Sequence, residues 1–402
     1  MMNYDVLILG GGIEGCAIAY ELSKFSLNIA LIEKEYEIAN NVFSISYRKK
    51  HESNEISSKT IEKFNIRNKV CNYLEVDKNS GTYDRCENSA QIISAYDLAI
   101  GYGEVAFENG VNFRLDERIL EIEEISNGYN IITNKNKFTC KIVIDTLKQE
   151  PKGSSKVDID FFIIDKGYNF KNNEIMSIKL KDKKRIIMVP NINDDLYVYL
   201  ISQEKILSSE ALKILKHSLN DLDEEYIKDN FKIPYLDEKI SIDNSRIKEG
   251  YIKIVGRNLN ISKMISEISK KVCDEVVDIL KCKVKKGFHD KVREFYRFKY
   301  MSHSDIDNLI KNNSEYGNII CTCCNISEGE IIECIRRPLG ARTIDGILNR
   351  TGATAGLCKG SYCLNKIIKI LARETNKSLI DIVKNSADSN VLLGRIKEFN
   401  EV

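Results

Sequence analysis

A glycine-rich turn near the N-terminus constrains the fold of this chain more than any other stretch. The apolar run 5–10 is typical of a strand buried on both faces of a parallel sheet. The glycine turn 10–15 follows, then a predicted helix over 16–24 and an apolar strand over 28–33. A strand, a G-x-G-x-x-G turn, a helix and a second strand form a dinucleotide-binding βαβ unit. We therefore predict a Rossmann-like domain here.

The residues of this turn have separate expected roles. Gly10 permits the turn, Gly12 lets the backbone approach a pyrophosphate, and Gly15 allows close packing of helix on strand. Glu33, at the end of the second strand, can bind a ribose hydroxyl. The acidic run 33–35 favours FAD over NADP, because the extra phosphate of NADP would require an arginine. The alternative is a Rossmann-like unit that has lost its ligand.

The C-terminal third of the chain contains a cluster of cysteines. Six of the twelve cysteines lie within 321–363, and four of these form a C-x-C pair and a C-x4-C pair. Such spacing is what an iron–sulfur cluster requires, because four sulfurs must converge on two irons. A structural zinc would more usually have C-x2-C pairs or histidine ligands, and this segment contains no histidine. A zinc site or plain thiols are the alternatives.

The sequence between and after the cysteine pairs predicts short helices. Ser327 and Glu330 have the spacing of a capping box that opens a helix. Residues 343–348 predict a second helix that ends near Gly352, and 363–373 a third. The small residues 352–356 let the backbone approach a metal closely. We therefore predict a small helical domain around the cysteines.

Composition limits the class of protein. The 402 residues have room for two or three domains, and 43% of them are hydrophobic. Lysine and arginine number 60 and aspartate and glutamate 59, a balance that argues against a nucleic-acid partner. No apolar run approaches the ~20 residues of a membrane helix. With no signal-like N-terminus, we expect a cytoplasmic protein with reduced thiols and a metal site.

The segment 319–363 resembles the bacterioferritin-associated-ferredoxin type of [2Fe-2S] domain. Its motifs are the two cysteine pairs and the run 340–346, Gly-Ala-Arg-Thr-Ile-Asp-Gly. More narrowly, the chain resembles flavoproteins of the anaerobic glycerol-3-phosphate dehydrogenase-like family, which have this domain at the C-terminus. The resemblance implies that Cys324 and Cys334 are not ligands. The family's ligands carry over onto Cys321, Cys323, Cys358 and Cys363.

The resemblance covers nearly the whole chain and implies an α/β fold. That fold is a Rossmann-like FAD-type domain with an inserted antiparallel α+β substrate subdomain, followed by a small helical [2Fe-2S] domain. The expected boundaries are 1–285 for the FAD-type domain with an insertion at about 155–245, 286–316 for a linker, 317–375 for the [2Fe-2S] domain and 376–402 for a C-terminal helix.

The resemblance also assigns residues to FAD and substrate. A backbone position equivalent to Ile119 contacts the adenine end of FAD, and Gly256 belongs to a turn that holds the flavin ring. Arg246 stands where the family has a substrate-anion arginine, which suits a carboxylate or phosphate. A solvated surface arginine is the alternative. The family's glycine-rich loop is replaced by 40–46, and its small Ala-Gly pair by 146–150, so two of three FAD contact regions are eroded.

Together these features predict an FAD-dependent dehydrogenase. It would oxidise a small hydroxylated or amino substrate and pass electrons singly through a [2Fe-2S] cluster to an acceptor protein or subunit. Peripheral membrane association would come through such a partner. The alternative, favoured by the eroded turns, is a degenerate, non-catalytic electron-transfer subunit that has lost flavin or substrate binding. An iron-responsive sensor has no supporting feature beyond the cysteines.

Overall fold

The computed structural model describes residues 2–39, 45–49, 58–147, 158–165, 167–171, 173–192, 195–219, 222–233, 240–256, 261–356 and 358–394. The predicted loop at 40–44, part of the run 146–150 and the segment 257–260 lie outside the described residues. All structural statements below concern the described residues.

The strands, in chain order, are β1 (Met2–Leu9), β2 (Ile29–Ile32), β3 (Ile45–Lys49), β4 (Asn68–Asp77), β5 (Thr82–Ser94), β6 (Asn112–Arg114), β7 (Ile119–Ile125), β8 (Gly128–Thr133), β9 (Lys137–Asp145), β10 (Asp158–Ile164), β11 (Glu174–Lys179), β12 (Arg185–Pro190), β13 (Leu196–Ser202), β14 (Ile227–Ile233), β15 (Ser241–Asp243), β16 (Tyr251–Val255), β17 (Ile319–Cys321) and β18 (Ile326–Ser327). The helices are α1 (Ile13–Leu22), α2 (Ser58–Lys63), α3 (Ala95–Glu108), α4 (Ser208–Ser218), α5 (Ile261–Leu280), α6 (His303–Asn312), α7 (Glu328–Arg336), α8 (Ile344–Thr351) and α9 (Leu364–Thr375).

The chain divides into two compact units, each assembled from separated segments. The first unit consists of Met1–Val42, Ala99–Ile144 and Val276–Val402, and the second of Phe43–Leu98 and Asp145–Glu275. The second unit is larger than the insertion predicted at about 155–245, because β4 and β5 belong to its sheet. None of the described helices is both long and apolar enough to span a membrane.

The first unit contains the predicted βαβ arrangement. β1 pairs in parallel with β2, from Val6 opposite Ile29 to Leu9 opposite Ile32, and β2 pairs in parallel with β6. β9 follows β1 on its other side and continues into the antiparallel strands β8 and β7. The apolar residues that β1 and β2 place opposite each other are fully buried because helices cover the sheet, as expected for parallel strands. We call residues 2–39 and 99–144 the Rossmann-like part.

The remainder of the first unit includes a small helical core, residues 319–375, which we call the helical part. α7, α8 and α9 each contribute apolar side chains at helical spacing, and Ile331, Ile347, Ile367 and Leu371 are all fully buried. The capping box of α7 is present as predicted, with Ser327 and Glu330 bonded reciprocally. α8 begins at the Thr343 cap and ends at Gly352, whose φ of 81° explains why glycine stands there.

A buried ion pair connects α3 with the end of α7 inside the first unit. Glu104 and Arg337 form two hydrogen bonds of 2.7 and 2.5 Å, and both side chains are about 95% buried. The guanidinium also donates to the carbonyl oxygens of Arg293 and Glu294. Two charges buried this deeply must satisfy each other, because neither can be solvated by water.

The second unit contains an antiparallel-rich sheet, as predicted for the inserted subdomain. Its strand order is β14-β10-β13-β12-β11-β4-β5-β3, and only β11 and β4 are described as a parallel pair. Successive residues of β10 face opposite sides, so that Phe162 packs in the core under α4 and Phe161 in the core of the other face. β15 and β16 form an antiparallel pair, with Ser241 opposite Val255.

Two predicted segments differ from the structure. The predicted linker 286–316 contains α6, which is capped by Ser302. The helix predicted over 376–402 is corrected for 376–394, where the structure has a 3-10 turn, Leu379–Asp381, and a bridge between Val383 and Asn390. The run 385–390, Asn-Ser-Ala-Asp-Ser-Asn, explains this, because its short polar side chains bond to nearby backbone and favour turns over helix.

Candidate cofactor sites

The glycine turn between β1 and α1 has a backbone that side chains would obstruct. Gly10 has a φ of 105° and donates its N–H to the carbonyl of Ile32 at 2.8 Å. Only glycine adopts that conformation without strain. A Cβ on Gly11 would lie 3.0 Å from the Glu33 side chain, and one on Gly12 would lie 3.1 Å from the Glu14 carboxylate. The turn therefore presents bare backbone.

Glu33 points back at this turn. Its carboxylate accepts hydrogen bonds from the N–H of Gly11 at 2.6 Å and of Glu35 at 3.0 Å. Burial raises the pKa of the Glu33 carboxyl, and the two N–H donors oppose that rise. The structure thus brings together the glycines and the acid that the sequence pattern singled out. Their contact with a nucleotide remains a prediction.

Gly12 occupies the N-cap position of α1 in an extended conformation, and Gly15 lies in the first turn of the helix, where it is buried. The free N–H groups and the dipole of a helix N-terminus favour an anion such as a pyrophosphate. Burial raises the pKa of the Cys16 thiol, which bonds weakly to the Gly11 carbonyl, so this cysteine stays protonated. Its role is packing.

The other predicted FAD and substrate residues are distributed over both units. Ile119 opens β7 in the first unit, where it lies opposite Thr133. Gly256 follows β16 in the second unit and is buried, with a φ of 106° that requires glycine. Arg246 also belongs to the second unit; its half-exposed guanidinium lies 3.4 Å from the Glu249 carboxylate and over the Tyr251 ring. These roles remain predictions.

The four predicted cluster cysteines come together in the helical part. Cys321 ends β17 and Cys363 caps α9, and each is 1% exposed. Cys358 is half-buried and Cys323 is exposed. Their sulfurs meet in two pairs, Cys321 with Cys363 and Cys323 with Cys358. Among the described residues, no three Cys, His, Asp or Glu side chains form a group for a single metal ion.

This pairing fits a [2Fe-2S] cluster, in which two irons share four thiolates. The hydrogen bond from Cys324 lowers the pKa of Cys321 to about 5, so Cys321 is a thiolate at neutral pH. A hydrogen bond from Cys323 lowers the pKa of Cys358 in the other pair. Burial raises the pKa of Cys363 to about 11, and the neighbouring Cys321 charge adds to that rise. Each pair thus contains one cysteine whose pKa is lowered by its partner or neighbour.

Backbone groups support both pairs. The N–H of Thr354 bonds to Cys321 and to Cys363, while those of Gly360 and Tyr362 bond to Cys358. A Cβ on Gly356 would lie 2.3 Å from the Cβ of Cys323, which explains the small residue predicted at this point. Such N–H donors stabilise thiolate and cluster charge. The residues present therefore fit the cluster.

The two extra cysteines differ in their surroundings. Cys334 is fully buried in α7 and bonds to the carbonyl of Ile331 at 3.1 Å, and burial raises its pKa to about 12. Cys324 contacts Cys321 and lies near Gly356. It therefore lies beside the ligand group, although the resemblance implies that it is not a ligand. Sequence reasoning missed Glu37, because nothing in its local pattern marks a partner. Thr354 belongs to the run 352–356, whose backbone was predicted to approach the metal.

Comparison with known proteins agrees with this geometry. Residues 319–373 match the family described as the BFD-like [2Fe-2S] binding domain. A glycerol 3-phosphate dehydrogenase of Caloramator mitchellensis is 27% identical over 476 aligned positions, covering 98% of this chain and 99% of that protein.

Two solved structures share the fold. The glycerol-3-phosphate dehydrogenase from Bacillus halodurans, complexed with FAD, has a TM-score of 0.63 at 12% identity, over 94% of this chain and 91% of that chain. The L-alpha-glycerophosphate oxidase from Mycoplasma pneumoniae, with FAD bound, has a TM-score of 0.56 at 16% identity, over 74% and 100%.

The chain therefore has the fold of FAD-dependent oxidoreductases, followed by a BFD-like [2Fe-2S] binding domain. Within that class its homologues are glycerol-3-phosphate dehydrogenases and oxidases, which confirms the resemblance inferred from the sequence.

Proposed function

We propose that this protein is an FAD-dependent dehydrogenase that oxidises a small hydroxylated substrate and delivers electrons through a [2Fe-2S] cluster to an acceptor protein. Glycerol 3-phosphate is the first substrate to test, because it is named in the relatives that match in sequence and fold. The observation that carries the proposal is the presence, in one compact unit, of a glycine turn with its acid and of four cysteines whose sulfurs lie in two pairs.

Specific residues would hold FAD. The backbone of Gly10 and Gly12 and the N-terminus of α1 would receive the pyrophosphate, because these glycines have no side chains of their own and Gly12 is the N-cap of the helix. Glu33 would exchange part of its contact with the Gly11 N–H for a ribose hydroxyl. Arg246, whose half-exposed guanidinium lies 3.4 Å from the Glu249 carboxylate, would bind a substrate phosphate bidentately. When bound, the flavin would accept two electrons and the cluster would transfer them one at a time.

The two thiolate pairs differ in exposure, which gives the electron path a direction. Cys321 and Cys363 are buried against the core, whereas Cys323 is exposed and Cys358 is half-exposed. Tyr362, beside the second pair, is 78% exposed. The charged residues between Cys358 and Lys369 are all lysines, Lys359, Lys366 and Lys369, and all three are exposed. We infer that an acidic one-electron acceptor protein docks at the Cys323–Cys358 edge.

Charge reversal tests this docking edge. The double variant K359E/K366E is expected to slow reduction of an acidic ferredoxin about tenfold at low ionic strength, and high salt should remove the difference. Stopped-flow absorbance measures the rate. Reduction of a small uncharged dye should be unchanged, and Lys311→Glu, on α6, is the matched control. Equal ferredoxin rates in wild type and double variant would place the docking edge elsewhere.

Removal of the Glu33 carboxylate tests the dinucleotide site. Glu33→Ala deletes an acceptor of two N–H bonds and of the expected ribose contact, and bonds to charged groups contribute about 1.5–3 kcal/mol each. The dissociation constant of FAD is expected to rise about 10- to 100-fold, measured by quenching of flavin fluorescence. Glu35→Ala, on the same segment, is the control. Unchanged affinity in Glu33→Ala would contradict the assignment.

The decisive experiment is a visible spectrum of protein purified without oxygen, before and after dithionite, with acid-released flavin and iron quantified. One flavin and two irons per chain, followed by bleaching with glycerol 3-phosphate, is the expected result. Cluster absorbance without flavin, even after incubation with FAD, would overturn the dehydrogenase. Bleaching by other hydroxy acids or polyol phosphates, and not by glycerol 3-phosphate, would retain the enzyme and change its substrate.

The second candidate is an electron-transfer subunit without catalysis. The alignment with the Caloramator relative spans 476 positions whereas this chain has 402 residues, so that relative contains segments that this chain lacks. The buried Thr146 also stands where a small Ala-Gly pair is expected beside a flavin. The spectrum described above separates the two candidates, because only the dehydrogenase requires stoichiometric flavin.

A further inference from the structure

Glu37 connects the Rossmann-like part with the helical part through a buried carboxylate. It lies in the segment after β2 and is 4% exposed. One carboxylate oxygen accepts from the Arg342 N–H at 2.8 Å and from the Thr343 hydroxyl at 2.7 Å. The other oxygen lies 4.0 Å from the guanidinium of Arg350, which is also buried. A charge so deeply buried is stable only with this full set of partners.

The start of α8 is shaped around this carboxylate. The Thr343 hydroxyl caps α8 by accepting from the Gly346 N–H at 2.9 Å, while it donates to Glu37. A Cβ on Gly346 would lie 2.2 Å from both carboxylate oxygens, so no other residue fits there. The positive end of the helix dipole further favours the negative charge. Glu37 thus extends the cap of α8.

The segment that carries Glu37 also holds the glycine turn. Gly11 donates its N–H to Glu33 at 2.6 Å and accepts at its carbonyl from the Ala39 N–H at 2.8 Å. Ala39 has a φ of 61°, and Ile38, between Glu37 and Ala39, is fully buried. Both polar groups of Gly11 are therefore fixed by residues 33–39.

The far end of α8 leads to the buried thiolate pair. After Gly352 the chain reaches Thr354, whose N–H bonds to Cys321 and to Cys363. α8 has eight residues, a rigid span of about 12 Å. Hydrogen bonds and short stretches of chain therefore connect the dinucleotide turn through Glu37 and α8 to the cluster ligands.

We propose that Glu37 is a positioning residue that couples the two cofactor sites, so that each cofactor raises the affinity for the other. The inference rests on the proposed function, in which FAD binds the glycine turn and a [2Fe-2S] cluster binds the cysteines. FAD that orders the turn also orders residues 33–39, and Glu37 then holds α8 and Thr354 against the sulfurs. By linkage, a bound cluster favours the FAD-binding conformation of the turn to the same degree.

A thermodynamic cycle tests this coupling. FAD affinity is measured by fluorescence quenching in anaerobic wild-type protein with its cluster and in the same protein after removal of the cluster by a chelator. Cluster-loaded wild type is expected to bind FAD about tenfold more tightly, within the usual range for coupled sites. In Glu37→Ala the loaded and cluster-free forms should bind FAD equally. Glu37→Gln keeps the two hydrogen bonds and should restore most of the difference.

A second readout reports on the cluster itself. Adding FAD should change the visible circular dichroism of the cluster in wild type and in the control Glu35→Gln, and should not do so in Glu37→Ala. If Glu37→Ala does not fold, Gly346→Ala tests the same contact, because its methyl group displaces the carboxylate without removing it. Gly346→Ala should also abolish the difference in FAD affinity between the cluster-loaded and cluster-free forms.

The outcomes separate this inference from the function on which it rests. A wild-type protein that binds no FAD or no cluster would overturn the proposed function and the coupling with it. A wild type that binds both with independent affinities would overturn the coupling alone. Coupling that persists unchanged in Glu37→Ala and in Gly346→Ala would show that Glu37 does not carry it.

Discussion

Replacing Cys321 by serine is expected to abolish binding of the [2Fe-2S] cluster. Cys321 is the sulfur with the strongest thiolate character, with a pKa lowered to about 5, and it contacts both Cys324 and Cys363. A serine hydroxyl in its place would not ionise at neutral pH and is a poor ligand for iron. Iron content should fall from two atoms per chain to near zero, with loss of the visible absorbance. Inductively coupled plasma spectrometry and the absorption spectrum measure both.

Three other cysteines make this prediction specific. Cys334→Ala should retain two irons, because its thiol points into α7 and bonds to a backbone carbonyl. Cys323→Ser should lose the cluster, whereas Cys324→Ser should keep its iron, with a shifted spectrum because a hydroxyl then replaces the thiol that donates to Cys321. The reverse result, iron lost in Cys324→Ser and kept in Cys323→Ser, would move the ligand assignment by one residue.

Replacing Arg337 by alanine is expected to destabilise the first unit by about 3–5 kcal/mol, because it leaves the Glu104 carboxylate buried without its partner. The preceding residue, Arg336, pairs with Glu374, and the Arg336 side chain is 55% exposed. Arg336→Ala should therefore cost at most about 1 kcal/mol. The shift in the urea midpoint, followed by circular dichroism, measures both variants.

A paired replacement checks the reason for this difference. The double variant Glu104→Met, Arg337→Met removes both buried charges and keeps the volume, so it should recover most of the lost stability. Equal losses of stability in Arg336→Ala and Arg337→Ala would mean that the burial of Arg337 does not increase the cost of removing it. A double variant as unstable as Arg337→Ala would mean that packing, and not the unpaired charge, is the cause.

Local sequence patterns predicted much of the fold and of both sites. The βαβ unit, the Ser327 capping box and the Gly352 end of α8 depend on residues within a few positions of each other, so that their spacing is visible in the sequence. The two cysteine pairs were also predicted from spacing. The structure adds how the sulfurs pair across the two motifs and which pair faces solvent.

The features that sequence reasoning missed depend on partners far apart in the chain. Glu37 and Thr343 are separated by 306 positions, and Glu104 and Arg337 by 233. A single glutamate or arginine looks the same in sequence whether it is solvated or buried in an ion pair. The helix predicted over 376–402 is replaced within 376–394 by turns, because the run 385–390 consists mostly of short polar residues that favour turns.

The order of the chain also has a consequence for how the protein is made. The first unit is built from three segments. The second unit is completely synthesised before the last segment of the first unit, which begins at Val276. On a ribosome adding 5–20 residues each second, Glu37 precedes Arg350 by about 15–60 s. During that interval the carboxylates of Glu37 and Glu104 lack the partners that bury them. Both buried carboxylates can therefore reach their partners only after the segment from Val276 onwards has been synthesised.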